Sequence, residues 1–225
     1  HEEPGVGRSG ALDTGFLVLT LNQSAAAVAP LALGRVLLGG YFSLSGGFAA
    51  TAHGVLVLSE RGNADFSRVP GLMSASTVRR FVRLADGRLV AGGSFEYVNG
   101  TPAQYLARLS ATGELDSTFS TQMTGPPSSP IDDLLELPGG GVVLVGGFHS
   151  VRKTFIENIA RLNPDGSLDS GFHPGGASPA QAVLGMKADR VWPFSEDRLL
   201  FAGRTWGSTA RNLLQAVRPD GSLDD

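Results

Sequence analysis

The chain has 225 residues, of which 42% are hydrophobic and 17% charged, with a net charge of −3 and no cysteine. That length is enough to bury a sizeable core. The acidic balance, with a pI near 5.8, offers no electrostatic case for nucleic acid or an anionic membrane, and the missing cysteine excludes disulfides and thiolate metal sites.

Residues 1–9 read as a flexible lead-in, and 10–225 as a single repeat domain. The first recognisable phrase is "GALDTGF" at 10–16, and its aspartate returns throughout the chain. Asp13, Asp65, Asp116, Asp169 and Asp224 lie 52, 51, 53 and 55 residues apart. A second phrase keeps the same phase: "GRVLLGGYF" (34–42), "GRLVAGGSF" (87–95), "GGVVLVGGF" (140–148) and "DRLLFAGRTW" (197–206). Two independent phrases on one period of about 53 residues define a repeat, with periods near 17–67, 68–120, 121–172 and 173–225.

Each period predicts four short strands. In the second, "TVRRFVRLA" (77–85) alternates and ends at the hairpin signal "DG". "RLVAGGSF" (88–95) follows, then the polar stretch "EYVNGTPAQ" (96–104), then "YLARLS" (105–110), a tight turn and "ELDSTFS" (114–120). The third period repeats the pattern as "IDDLLEL", "VVLVGGF", "ENIARLN" and "SLDSGF". No stretch carries a 3.6-residue apolar stripe, and the 31 glycines, roughly twice the usual share of about 7%, point to many turns. The fold class is therefore all-β, a β-propeller of about four four-stranded blades of ~53 residues each. The amino-terminal 10–16 is expected to complete the sheet of the last blade and close a ring. An open arc, a self-associating half-ring and a β-solenoid are the alternatives.

The phrases "LARLSATGELDSTF", "IARLNPDGSLDSGF" and "DGRLVAGGSF" resemble the bacterial delta-60 repeat family. That resemblance implies a propeller-like repeat of large exported or surface-exposed bacterial proteins, hence an extracellular or cell-surface location. The first period, with "GNADF", and the fourth, with Ala202-Gly203-Arg204 in place of a Gly-Gly pair, depart from the pattern.

Chemistry is sparse. The "PDG" turns at 164–166 and 219–221 place too few carboxylates close together for a calcium loop, and turn chemistry accounts for them. The four histidines form no ligand motif, so neither metal nor cofactor is expected. The recurring aspartates (Asp13, Asp65, Asp116, Asp169, Asp224) read as structural, each accepting backbone N–H bonds and fixing a turn. The aromatic three residues on (Phe16, Phe119, Phe172) should pack between blades. The Gly-Gly pairs, followed by no helix, mark bulges or close backbone approach rather than a phosphate cradle.

One asymmetry bears on function. The connections from second to third strand (43–53, 96–104, 149–156, 205–212) and from blade to blade are long, while the turns on the opposite face have two to four residues. Long loops on a rigid scaffold are where binding usually resides. They carry Tyr97, Asn99, His149, Arg152, Phe155 and Trp206, suited to contact with a sugar or protein surface. The second-strand phrases near the central channel offer only apolar residues and glycine, so no catalytic constellation is expected. The expected function is a non-enzymatic binding module that contacts protein or polysaccharide. A propeller-fold hydrolase or lyase, and a spacer within a longer array, are the rival readings. Nucleic acid and membrane insertion are not expected partners, while unpaired sheet edges leave self-association open.

Overall fold

The computed structural model describes residues 21, 24–45, 51–65, 77–125, 131–172, 186–195, 197–205 and 212–223. Among these residues the chain is all-β. Its strands form four three-stranded antiparallel sheets, one in each sequence period, together with two short hairpins. The first sheet holds β1 (Ser24–Pro30), β2 (Val36–Ser45) and β3 (Thr51–Leu58). In the second period come β4 (Thr77–Arg83), β5 (Leu89–Ser94), the hairpin β6 (Tyr97–Val98) and β7 (Thr101–Pro102), and β8 (Leu106–Leu109), with β4, β5 and β8 in one sheet. The third repeats this as β9 (Ile131–Glu136), β10 (Val142–Gly146), β11 (Ser150–Val151), β12 (Thr154–Phe155) and β13 (Ile159–Leu162). The fourth is β14 (Met186–Ser195), β15 (Arg198–Thr205) and β16 (Asn212–Val217).

Among the described residues the expected fourth strand is reduced to one bridge per period: Leu58 with Ala64, Leu109 with Leu115, Leu162 with Leu168, and Val217 with Leu223. The aspartate next in line explains why pairing stops in the two middle periods. Asp116 Oδ1 accepts from the Thr118 N–H at 3.0 Å and from the Thr118 hydroxyl at 2.6 Å. Asp169 Oδ1 accepts from the Gly171 N–H at 2.8 Å. These bonds turn the backbone out of the ladder after one pair. The connections expected to be long loops also carry more pairing than the sequence suggests. Ser43–Ser45 pair with Thr51–His53, extending β2 and β3 across most of 43–53, while 96–104 and 149–156 contain the two short hairpins.

The core lies between sheets rather than within one. Leu37, Val55 and Val57 of the first sheet pack with Val78, Leu89 and Phe95 of the second. Val90 and Leu106 of the second sheet pack with Ile131, Leu134, Leu144 and Phe148 of the third. Val143, Val145 and Ile159 of the third sheet meet Ala188, Val191 and Phe201 of the fourth. The first strand of each sheet lies on the first strand of the sheet before it. Phe119 and Phe172, buried in the second and third of these cores, take the inter-sheet positions expected of them.

In the first two sheets the Gly-Gly pairs divide two tasks. At Gly93 a Cβ would lie 2.0 Å from the Thr77 carbonyl oxygen, because β4 bulges between Val78 and Arg80 directly opposite. At Gly92 a Cβ would lie 2.7 Å from Ile131 Cγ2 of the next sheet. One glycine admits the bulge and the other admits the neighbouring sheet. The closing role of 10–16 lies outside the described residues.

Candidate functional site

The recurring aspartates come first because they anchor the scaffold. Beyond its backbone bonds, Asp116 Oδ2 accepts from Arg108 Nε at 2.8 Å, and Asp169 Oδ2 accepts from Arg161 Nε at 2.7 Å. Each arginine then reaches into the next period. Arg108 Nη1 donates to the Pro164 carbonyl at 2.5 Å, and Arg161 Nη1 to the Pro219 carbonyl. The guanidinium groups also lie over the Phe119 and Phe172 rings, 4.6 and 4.8 Å from the centroids. Arginine, aspartate and phenylalanine thus form a latch between successive sheets. The hydroxyl of Thr118, its backbone N–H and the Arg108 guanidinium hold the Asp116 carboxyl at a pKa of about 2, against the opposing effect of burial. Asp65 is placed at the equivalent position with its N–H bonded to the Val57 carbonyl at 2.8 Å. Asp13 and Asp224 lie outside the described residues. The aspartates could be read from the sequence; their arginine partners, eight residues earlier, were visible as "LARL" and "IARL" but gave no sign of crossing to the next period.

The predicted ligand residues occupy two equivalent hairpins. Tyr97 and Asn99 belong to β6–β7, while His149, Arg152 and Phe155 belong to β11–β12 and its approach. Tyr97 pairs with Pro102, and Phe155, 54% exposed, pairs with Ser150. Asn99 and Gly100, with φ of 51° and 75°, make a two-residue turn of the type that favours Asn-Gly, so turn geometry accounts for the asparagine. Arg152 and Lys153 adopt the same conformation, φ 48° and 67°, without a glycine. Arg152 Nε donates to the Ser120 carbonyl at 3.2 Å. His149 Nε2 stands 3.9 Å from Glu157 Oε1. Trp206 lies outside the described residues.

A second cluster at the same end of the sheets was not anticipated. The bulged residue of each first strand and its successor are Ala26-Ala27, Arg79-Arg80, Asp132-Asp133 and Asp189-Arg190 in the four sheets. The second and third sheets therefore set opposite charges side by side. Arg79 Nη1 donates to Asp132 Oδ1, and Arg80 Nε lies 2.9 Å from Asp133 Oδ1. Asp133, 3% exposed, also accepts from the Leu134 and Val191 N–H groups and so ties the second, third and fourth sheets together. Lys187 Nζ lies 3.2 Å from the buried Asp132 Oδ2, off the line of a hydrogen bond.

Beside this ladder opens a polar cleft of about 580 Å³ lined by Arg79, Asp132, Lys187, Asp189, Arg190 and Arg204 among others. Lys187, Arg204 and Asn212 stand in register across β14, β15 and β16, at the end where β15 leaves toward 206–211. Four cations face two carboxylates there, an excess of positive charge in a chain whose net charge is −3. Such a site suits an anionic group that arginine forks can grip. The second strand of the fourth sheet departs from the expected run of apolar residues and glycine by placing Arg204 in the cleft, and the first strands bring further unrepeated charges to it. The signal was there: at one phase of the period, the pairs AA, RR, DD and DR break the repeat.

A family model described as "Domain of unknown function (DUF5122) beta-propeller" matches residues 84–119 and 141–172. This supports a β-propeller-like repeat. The first matched stretch begins just after β4 and the second just before β10; both end at the aromatic after the latch aspartate, and they include the latch but none of the charged residues lining the cleft. No curated protein matches the chain.

Proposed function

We propose that the chain is a non-enzymatic binding module, a four-bladed propeller segment of the delta-60 type from a bacterial secreted or cell-surface protein. It contacts its protein or polysaccharide partner at the end that carries the long connections. The observation that carries this reading is the cleft of about 580 Å³, with its four cations against two acids, at the same end as the Tyr97 and Phe155 hairpins. Arg204 and Arg190 supply donors suited to the carboxylates or sulfates of an acidic polysaccharide, or to an acidic protein segment. The exposed Phe155 ring offers an apolar contact on the β11–β12 hairpin.

The test is a binding screen of acidic and neutral polysaccharides and of acidic peptides, repeated over a range of salt. Binding to the acidic members, weakened about tenfold or more by Arg204→Ala and little changed by Asp165→Ser in an opposite-face turn, supports the reading. Binding abolished by Asp165→Ser in a folded chain, and untouched by Arg204→Ala, overturns it.

A further inference from the structure

The three inter-sheet cores specify what each face of a sheet is built to meet. The back face of the third sheet presents Leu135, Leu137, Val143, Val145 and Ile159 to the fourth. Register places Trp192, Leu200, Ala202 and Leu214 at the equivalent positions of the fourth sheet, and Phe194 follows as a bulged residue of β14. All are apolar, yet Trp192 is 42% exposed, Phe194 56% and Leu214 63%. On the front of the first sheet the same contrast appears. Val28 is the counterpart of Phe81, Leu134 and Val191, which pack into the internal cores, but it is 65% exposed. Among the described residues no strand of the first sheet is extensively packed on a strand of the fourth.

Sizes at the internal contacts show how a front meets a back. Where the back position is glycine, the incoming residues are large: Gly39 receives Val78 and Phe81, and Gly92 receives Ile131 and Leu134. Where it is Val145, the counterparts are the smaller Ala188 and Val191. At the unpartnered pair of faces the back position is Ala202 and the front offers Ala25 and Val28. That junction is small against small, with Trp192 adding volume where the third sheet has Leu135. Ala26 and Ala27 bring no charge into it, whereas the internal junction of the second and third sheets needs the Arg79–Asp132 and Arg80–Asp133 pairs.

We propose that the exposed back of the fourth sheet is an interface for a second copy of this chain, which seats the front of its β1, through Ala25 and Val28, against Trp192, Ala202 and Leu214. The contact is face to face and continues the internal stacking, rather than adding a strand at a sheet edge.

The chain has no cysteine, so Val28→Cys and Ala202→Cys provide unique thiols. Mixing the two single variants under oxidising conditions should give a covalent dimer that neither variant forms alone, and unmodified chain should sediment as a dimer. Leu214→Lys, at an already exposed position, should weaken the dimer by about tenfold or more while the chain stays folded by circular dichroism. A double variant that links within one chain, or an unmodified chain that stays monomeric at every concentration with no mixed dimer, would overturn the proposal. The first result would show the two faces meeting inside one molecule.

Discussion

The middle two sheets and the outer two solve the same packing problem differently. The second and third carry the latch, in which Arg108 and Arg161 each bind an aspartate of their own period and a proline carbonyl of the next. At the equivalent position the first sheet has Val57 and the fourth Ala216. The first sheet joins the second through Leu31, packed against Gly113, and through the Ala32 N–H bonded to the Ala111 carbonyl at 2.9 Å. A repeat period therefore fixes where neighbours touch without fixing the chemistry of the touch. An apolar contact is stable alone, whereas a buried arginine must find every partner or destabilise the fold.

The largest effect should come from the bulge glycines, and it should differ between interior and end. A Cβ at Gly93 meets backbone of β4 at 2.0 Å and one at Gly203 meets the Lys187 carbonyl at 2.0 Å, so neither neighbour can yield. Gly93→Ala should cost more than ~3 kcal/mol or prevent folding, read from denaturant midpoints. Gly203→Ala should instead loosen the fourth sheet alone, seen as lost hydrogen-exchange protection over 186–217 with the middle sheets intact. Equal global losses from both would show that the end sheet is as integral as the middle ones.

Next come the latches. The Arg108 side chain is 5% exposed and that of Arg161 19%. Removing the carboxylate should therefore cost about 2–4 kcal/mol in Asp116→Ala, where a buried guanidinium loses its partner, and about 1–2 kcal/mol in Asp169→Ala. Ligand binding at the cleft should survive both changes while the fold holds. Unchanged melting temperatures would remove the latch as a source of stability.

A pH titration isolates the stronger latch. The folded-state pKa of Asp116 is about 2, below its ordinary 3.8, so its contribution is fully present above 3.8 and is lost as pH falls through the folded value. The stability gap between the unmodified chain and Asp116→Asn should narrow across pH 4 to 2. A gap that stays constant over that window would mean the carboxylate is not held ionised by its Thr118 and Arg108 bonds.

The smallest effect should be a gain. Lys153 sits at φ 67° where the equivalent hairpin has Gly100. Lys153→Gly should relieve about 1 kcal/mol of backbone strain and raise the melting temperature by about 2–4 °C. A fall in melting temperature would mean that the lysine side chain contributes more than the strain costs.

The period, three of the four strands in each period and the tight turns were legible in the sequence because they depend on local chemistry. Gly113, Gly166 and Gly221 take φ of 94°, 84° and 87° in the turns where they were expected. Asp165 bonds the Ser167 N–H at 2.8 Å within its own turn, and Phe119 and Phe172 are buried as their spacing implied. Long-range bonds were not legible. Arg79 and Asp132 are 53 residues apart and Arg108 and Pro164 are 56 apart, and nothing in either short phrase names the other. The sequence by itself determined which residues turn, which pair locally and how often the pattern returns. Only the tertiary structure decided which sheet faces which, because stacking one period on the next brings together residues that no local periodicity relates. That stacking turned charged pairs at one phase of the repeat into a ladder beside a cleft.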